Sequence, residues 1–437
     1  MMGYGSVRFL KTEGRLFEQI ALAVGAGTLV NYCLILTGLT LGRVFVAGMA
    51  LALWGVLSFF TDLRARWVNG VRGFKLPVFA ACSVAYLFII YYFEIFSEPL
   101  LHWDARSIWF FHAKMIWTEG AVRQSAGWSH PSLAFSHPDY PNLVPAIAAQ
   151  LAYVKGYWNE FLPKGSLLVM LGPLVLWVFS FRERSAGFVL LVLVFFFSLD
   201  GWLSNGYMDG YLALYGGAAL LLFGRYLSEG RDTDLYSGIC AAGICAGLKN
   251  EGLLFGLCVI TALIFIRPEH RGSRLRSFSN RIKTDSRFAT ILFLSIAPTL
   301  LWAISKKAWG VGNPITAVPS EGWSRLSIRL FDGSTPQYLL NYLVVRATAL
   351  WVVVGLVAAT VTFALYQRLK LPRGALVAAV TSALYVCGIY VVYLSTPYGL
   401  NFHLSTSATR TMVTAEVALF VSLFFLLSGL EAHEAES

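Results

Sequence analysis

The feature that most restricts the fold of this chain is a series of continuously apolar runs, such as 76–93, 288–305 and 375–394. Many approach or exceed the roughly 20 residues that a helix needs to cross a bilayer. In hydrocarbon every backbone donor and acceptor must be satisfied internally. Unbroken apolar runs therefore predict helices, whereas a β-barrel requires two-residue alternation. Only 13% of the 437 residues are charged and 57% are hydrophobic, about half the charge of an ordinary soluble domain. The chain reads as an all-α polytopic membrane protein forming one domain over 1–437.

Basic residues sort the runs by side. The formal net charge of +10 falls mainly between the apolar segments, where the positive-inside tendency puts it. No P-loop or zinc-finger spacing accompanies it, so nucleic acid is not the expected partner. The runs are 20–41, 44–60, 76–93, 167–181, 187–199, 208–223, 236–248, 253–266, 288–305, 338–365, 375–394 and 411–427. The first two read as a hairpin turning at Arg43. The polar residues 1–19 precede a retained first helix rather than a cleaved signal. With the N-terminus in the cytoplasm and 144–154 re-entrant or interfacial, about twelve crossings (11–13) result. The basic segments 61–75, 182–184, 225–231, 267–287 and 368–373 then all face inward. A full crossing by 144–154 alone would force the strongest basic loop, 267–287, outside. The six cysteines, including Cys240, Cys245 and Cys258, lie mostly inside apolar runs and read as small hydrophobes rather than a disulfide framework.

That topology gathers the chemically dense segments on the outer side. They are an outer loop over 94–164 containing HWDARSIW and SHPDYPNLVP, then 204–210, 248–252, a second outer loop over 306–337, and 401–410. Loops on a rigid scaffold suit an active site. Asp104 is the candidate general base, able to take a proton from an attacking hydroxyl; the structural alternative is an interfacial pair with Arg106. Pro138 and Pro141 restrict the turn that carries His137, Asp139 and Tyr140. Asp104, His137 and Asp139 supply ligand types for a divalent cation, but without a metal-specific spacing, so no cofactor is required. Lys249 either pairs with Glu251 or contacts a phosphate. Arg410, read at the start of the last helix, suits forked hydrogen bonds to phosphate aided by the helix N-terminus, or simple snorkelling. Arg106 is a third candidate phosphate contact. Asp209 either binds sugar hydroxyls or caps a helix. Trp103, Tyr140, Tyr207 and His403 suit sugar or lipid contact, although interfacial belts also enrich aromatic residues.

A carboxylate, phosphate-binding cations and many greasy helices point to a lipid-linked sugar phosphate. A single displacement at its anomeric carbon inverts the configuration. In HWDARSIWFFHAK (102–114), HPDYPNLVP (137–145) and STPYGLNFHLSTSATR (395–410), the chain resembles the GT-C superfamily of integral-membrane glycosyltransferases. The closest likeness is to the bacterial branch of aminoarabinose transferases and protein O-mannosyltransferases. More than one apolar run precedes the Asp104 loop, unlike the arrangement with a single preceding helix. The resemblance implies a GT-C-like bundle in the bacterial inner membrane with its site facing the periplasm or exterior. It implies Asp104 as the catalytic carboxylate and Asp139 as an aid to acceptor or metal. It also implies a polyprenyl-phosphate or polyprenyl-diphosphate sugar donor and a lipid, glycan or protein hydroxyl acceptor. A transporter or flippase would instead place ionisable residues deep within spans and show internal repeats. An oligosaccharide polymerase or ligase would carry a strongly basic outer loop, and 306–336 is only modestly basic.

Overall fold

The apolar runs become helices, and the residues that interrupt them become the two charged ends of a bundle. The computed structural model describes residues 16–68, 78–122, 126–182, 185–197, 199–266, 275–313, 319–346, 350–367 and 370–436. The N-terminal residues 1–15 and parts of the expected basic loops (69–75, 183–184, 267–274 and 368–369) lie outside them, as do 314–318 of the second polar loop. In chain order the helices are α1 (Leu16–Leu36), α2 (Leu41–Val68), α3 (Val78–Ser97), α4 (Phe110–Glu119), α5 (Leu143–Lys155), α6 (Gly165–Phe179), α7 (Ser185–Val192), α8 (Asp209–Glu229), α9 (Asp232–Leu248) and α10 (Asn250–Phe265). There follow α11 (Leu275–Thr284), α12 (Ser286–Trp309), α13 (Pro319–Phe331), α14 (Thr335–Asn341), α15 (Leu350–Tyr366), α16 (Arg373–Ser395) and α17 (Leu400–Glu436). Among the described residues there is no strand.

Among the described residues, five helical segments are long and apolar enough to cross a membrane: Phe17–Leu36, Leu162–Phe179, Ser286–Trp309, Arg373–Ser395 and Leu400–Leu430. Twelve runs carried that expectation. The others are shorter or diluted. Leu41–Gly55, Ala81–Ser97, Asn250–Phe265 and Trp351–Tyr366 are shorter apolar stretches within α2, α3, α10 and α15. α7 passes into a π-helical turn at Leu193–Phe197. α8 has 21 residues, but Asp209, Arg225, glycines and tyrosines dilute its apolar character; nearly all of it is buried against neighbouring helices. α5 matches the short run at 144–154. Its 13 residues rise about 20 Å, less than the roughly 30 Å hydrocarbon core. The first hairpin turns at 37–40 rather than at Arg43, which lies in the first turn of α2. The Leu41 N–H donates to the Gly120 carbonyl (2.7 Å), tying that turn to the end of α4.

At one end of the bundle, the start of α1, the end of α6 and the α8–α9 connection meet around Arg225. Its Nε and Nη2 donate to the two Asp234 carboxylate oxygens (2.9 and 2.6 Å). Nη1 donates to the Ser180 carbonyl (3.1 Å), and Glu18 Oε1 lies 3.0 Å from Nη2. Arg231 adds a second contact to Glu18. Arg225 lies sixteen residues along α8 from Asp209, about 24 Å at 1.5 Å per residue. The second charged cluster forms around Asp209, so α8 carries one cluster near each end.

Removing one partner from a buried ion pair strands the other, at a cost of about 3–5 kcal/mol. Arg225→Met leaves the buried Glu18 and Asp234 carboxylates short of their main cation. The expected outcome is a clear drop in melting temperature in detergent micelles, larger than that of Arg281→Met, whose partner Asp232 is partly exposed.

Candidate functional site

Asp104 opens the helical stretch that follows α3 and its terminating Pro99. Its backbone is helical, and its carboxylate makes no capping hydrogen bond, so the side chain is free to act elsewhere. The next five residues, Ala105–Trp109, form a π-helical turn that buries Ala105, Ser107, Ile108 and Trp109 while Arg106 stays exposed. The Asp104 carboxylate contacts the Arg410 guanidinium, 306 residues away in sequence. These side chains are 18% and 17% exposed. The cation beside Asp104 is therefore Arg410, not Arg106.

Arg410 is not at a helix start. α17 begins ten residues earlier, at Leu400. The polar run 405–411 stays helical because its hydroxyls bond back to carbonyls one turn earlier: Thr406 to Phe402 (2.8 Å), Ser407 to His403 (2.7 Å) and Thr411 to Ser407 (2.9 Å). The positive potential of a helix N-terminus fades within the first turn and does not reach Arg410. The guanidinium is instead held by its Nε–H bond to the Thr406 carbonyl (3.1 Å) and by the Tyr207 ring, 4.9 Å below it. Burial and the adjacent Asp104 carboxylate push the Tyr207 hydroxyl above its ordinary pKa, so it stays a phenol and a donor.

Asp209 is the first residue of α8, one past the N-cap position at Met208. Its Oδ1 accepts from Lys249 Nζ (2.9 Å) and its Oδ2 lies 3.9 Å from Arg410. Lys249 also meets Glu251 (3.2 Å). Burial would lower the Lys249 pKa, but the Asp209 and Glu251 carboxylates outweigh it and hold the ammonium well above its ordinary value. The expected Lys249–Glu251 pair is present, and Asp209 is a second, buried partner that local sequence did not disclose. Three carboxylates (Asp104, Asp209, Glu251) face two cations (Lys249, Arg410). That leaves one negative charge in excess.

Two glycines allow this geometry. At Gly252, in the first turn of α10, a β-carbon would sit 1.8 Å from the Cys245 carbonyl oxygen. Gly206 has φ +86° and packs where a β-carbon would be 2.7 Å from that of Ala105, which brings the 204–208 turn against the residue after Asp104.

Asp139 forms a neighbouring, different environment. It is 1% exposed, and its Oδ2 accepts from Asn250 and Asn313 (2.7 Å each). Trp302 donates to its backbone carbonyl (3.2 Å). Asp139 Oδ1 has no hydrogen-bond partner among the described residues. Adjacent residues therefore serve both acids: Lys249 holds Asp209 and Asn250 holds Asp139. Asn250 and Asn313 were not foreseen; an amide pairing with a distant carboxylate has no periodic signature.

Tyr140 stacks between Trp109 (5.4 Å) and His137 (5.2 Å), with Lys249 Nζ 5.9 Å from its ring. His403 lies against Tyr393 and Tyr398 (4.8 and 5.5 Å), while Trp103 is 61% exposed. Among the described residues no three His, Cys, Asp or Glu side chains form a metal-ligand group. Asp104, His137 and Asp139 thus do not converge as a ligand set, and Asp104 instead faces a guanidinium. A lateral groove of about 310 Å³ lies between α1, α2 and α5, near the Asn31–Gln150 amide pair. None of the charged site residues lines it. No family model, curated protein or solved structure matches the chain.

The 102–142 segment is locked to α1 through His112. This fully buried ring bonds Asn142 Oδ1 through Nδ1 (3.1 Å) and lies 3.4 Å from Ser136 Oγ through Nε2. The Asn142 N–H donates to the Tyr32 hydroxyl (2.8 Å). Burial lowers the His112 pKa to about 4. Between about pH 6.5 and 4 the unfolded chain binds the proton that the folded chain refuses. Stability is therefore lost as pH falls through this window, by about 3 kcal/mol in all. Acidification from pH 7 to pH 5 lowers the melting temperature of the wild type, and His112→Gln reduces that pH dependence.

Proposed function

We propose that this chain is an inverting membrane glycosyltransferase of the GT-C type. It moves a sugar from a polyprenyl-phosphate donor to a hydroxyl acceptor at the extracytoplasmic face. The supporting observation is the contact between Asp104 and Arg410, brought from distant parts of the chain to a largely buried but still accessible position at one end of a helical bundle. The full arrangement in this reading has about twelve crossings, with the Arg225 cluster on the cytoplasmic side.

Arg410 presents a forked donor suited to phosphate oxygens. A donor phosphate competes with Asp104 for that fork and frees the carboxylate. The acceptor oxygen then attacks the anomeric carbon from the face opposite the phosphate. The bond from that carbon to the phosphate oxygen breaks, and Asp104 takes the hydroxyl proton. The polyprenyl phosphate leaves with one more negative charge, which Arg410 stabilises where it develops. Tyr207 remains protonated beside them as a hydrogen-bond donor. His137, the outer ring of the stack on Tyr140, offers a flat face to a sugar ring, and the enclosed Asp139 fixes the turn that carries it. The steps need no metal ion.

The test is the full-length protein in lipid nanodiscs with a panel of polyprenyl-phosphate sugars and candidate hydroxyl acceptors. Asp104→Asn keeps the side-chain shape but removes the base, and transfer should fall by about 10²- to 10⁴-fold. Full turnover by a folded Asp104→Asn protein excludes Asp104 as the base. Movement of substrate across the membrane with no new glycosidic bond excludes the reading and favours a transporter.

A further inference from the structure

α13 turns large apolar side chains outward and its arginines inward, with Ser320, Ser324 and Ser327 also on the exposed side. On its outer side Trp323, Ile328 and Phe331 are 69%, 67% and 83% exposed. On its bundle side lie Gly322, Arg325, Leu326 and Arg329, positions that share one stripe at helical spacing. A helix on a water-facing surface would show the reverse.

The arginines are occupied. Arg329 Nη1 donates to the carbonyls of Tyr393 (3.2 Å), Leu394 (3.2 Å) and Thr396 (2.9 Å), and Nη2 to that of Tyr398 (3.5 Å). Arg325 Nε donates to the Ser395 carbonyl (3.0 Å), and its Nη1 to Glu321 (3.2 Å). Tyr393, Leu394 and Ser395 end α16, where helix carbonyls lack partners along the chain. α13 thus supplies the C-terminal cap of α16 from outside and grips the turn into α17.

The chain on either side fixes where α13 can lie. α12, a helix of spanning length and hydropathy, ends at Trp309, and α14 begins at Thr335. α13 has 13 residues and is too short and too polar to cross. Asn313, between α12 and α13, bonds Asp139 of the candidate site. α13 therefore sits at the site-bearing end of the bundle, beside the point where a spanning helix leaves the membrane.

We propose that α13 is an interfacial anchor. Its Trp323–Ile328–Phe331 face inserts into the boundary between lipid headgroups and acyl chains, and Arg325 and Arg329 pass that seat to the α16–α17 turn. Tryptophan and phenylalanine on one face of a helix suit this boundary. Both arginines are committed to protein oxygens, so anchoring rests on apolar burial rather than attraction to anionic lipid. It occurs equally on neutral phosphatidylcholine. The turn it steadies leads to His403 and Arg410, and Tyr393 bonds Ser407 between them (2.7 Å). The bilayer surface is thereby a reference plane for the position of Arg410, whatever reaction the site performs.

The test uses the full chain in phosphatidylcholine nanodiscs, with the exposed Cys82 and Cys387 replaced by alanine. An environment-sensitive fluorophore is placed at Phe331→Cys and, separately, at Trp323→Cys. The expected result is strong quenching by a nitroxide near the lipid headgroup, weaker quenching by one deep in the chain, and little by aqueous iodide. Iodide quenching without lipid quenching overturns insertion. Stronger quenching by the deep nitroxide overturns an interfacial seat. Protection from all three quenchers means that protein, such as a second copy, covers the face, and overturns the lipid assignment. The coupling is read by hydrogen exchange in Trp323→Asp/Phe331→Asp. Amides of 393–400 should exchange faster while those around Arg225 and Asp234 stay unchanged. No change at 393–400 overturns the transmission.

Discussion

A charge removed from water must find a partner, and in hydrocarbon the alternative costs at least about 2.5–3.5 kcal/mol per group. That constraint shapes this bundle. The principal buried charges form two paired clusters, one near each end of α8. Arg225 collects Glu18 and Asp234 at one end; Lys249 and Arg410 meet Asp209 at the other. Between them α8 runs for about 24 Å, buried against its neighbours. α8 is the common member, so its register against its neighbours fixes both ends together.

Asp104 and Asp139, two of the acids of the site, sit in contrasting environments. Asp139 is enclosed, and one oxygen is fixed by two amides. Asp104 is partly open, and its visible partner is a long, flexible cation. The first arrangement holds a loop in place and leaves one oxygen in a defined direction. The second can be rearranged by an incoming anion. In the proposed reaction this contrast is the reason for giving the proton to Asp104.

Much of this was legible in the sequence, and the gaps have physical causes. Helical class followed from the apolar runs. The residues that meet around Asp209 were singled out because charge is scarce in this chain. Their pairing was not readable, since Asp104 and Arg410 are 306 residues apart and neither helical nor strand periodicity spans such a gap. Serine and threonine between 405 and 411 suggested a polar lead-in, whereas their back-bonding keeps them helical. The crossings were harder to count because π turns and buried glycines and tyrosines dilute runs that still pack as helices. The arginines of α13 looked like ordinary loop charge. Only the orientation of the helix shows them capping α16.

The α9–α10 junction has a consequence beyond the pairs it makes. Leu248 ends one helix, Asn250 begins the next, and only Lys249 lies between. With Gly252 pressed onto the Cys245 carbonyl, this connection has no slack. One inserted residue would rotate everything after it by about 100° about a helix axis, carrying Asn250 and Glu251 away from their partners. For anyone splicing a tag, an epitope or a circular break into this chain, the junction is a forbidden seam: hydropathy there would look unchanged, and both acidic centres would be dismantled at once.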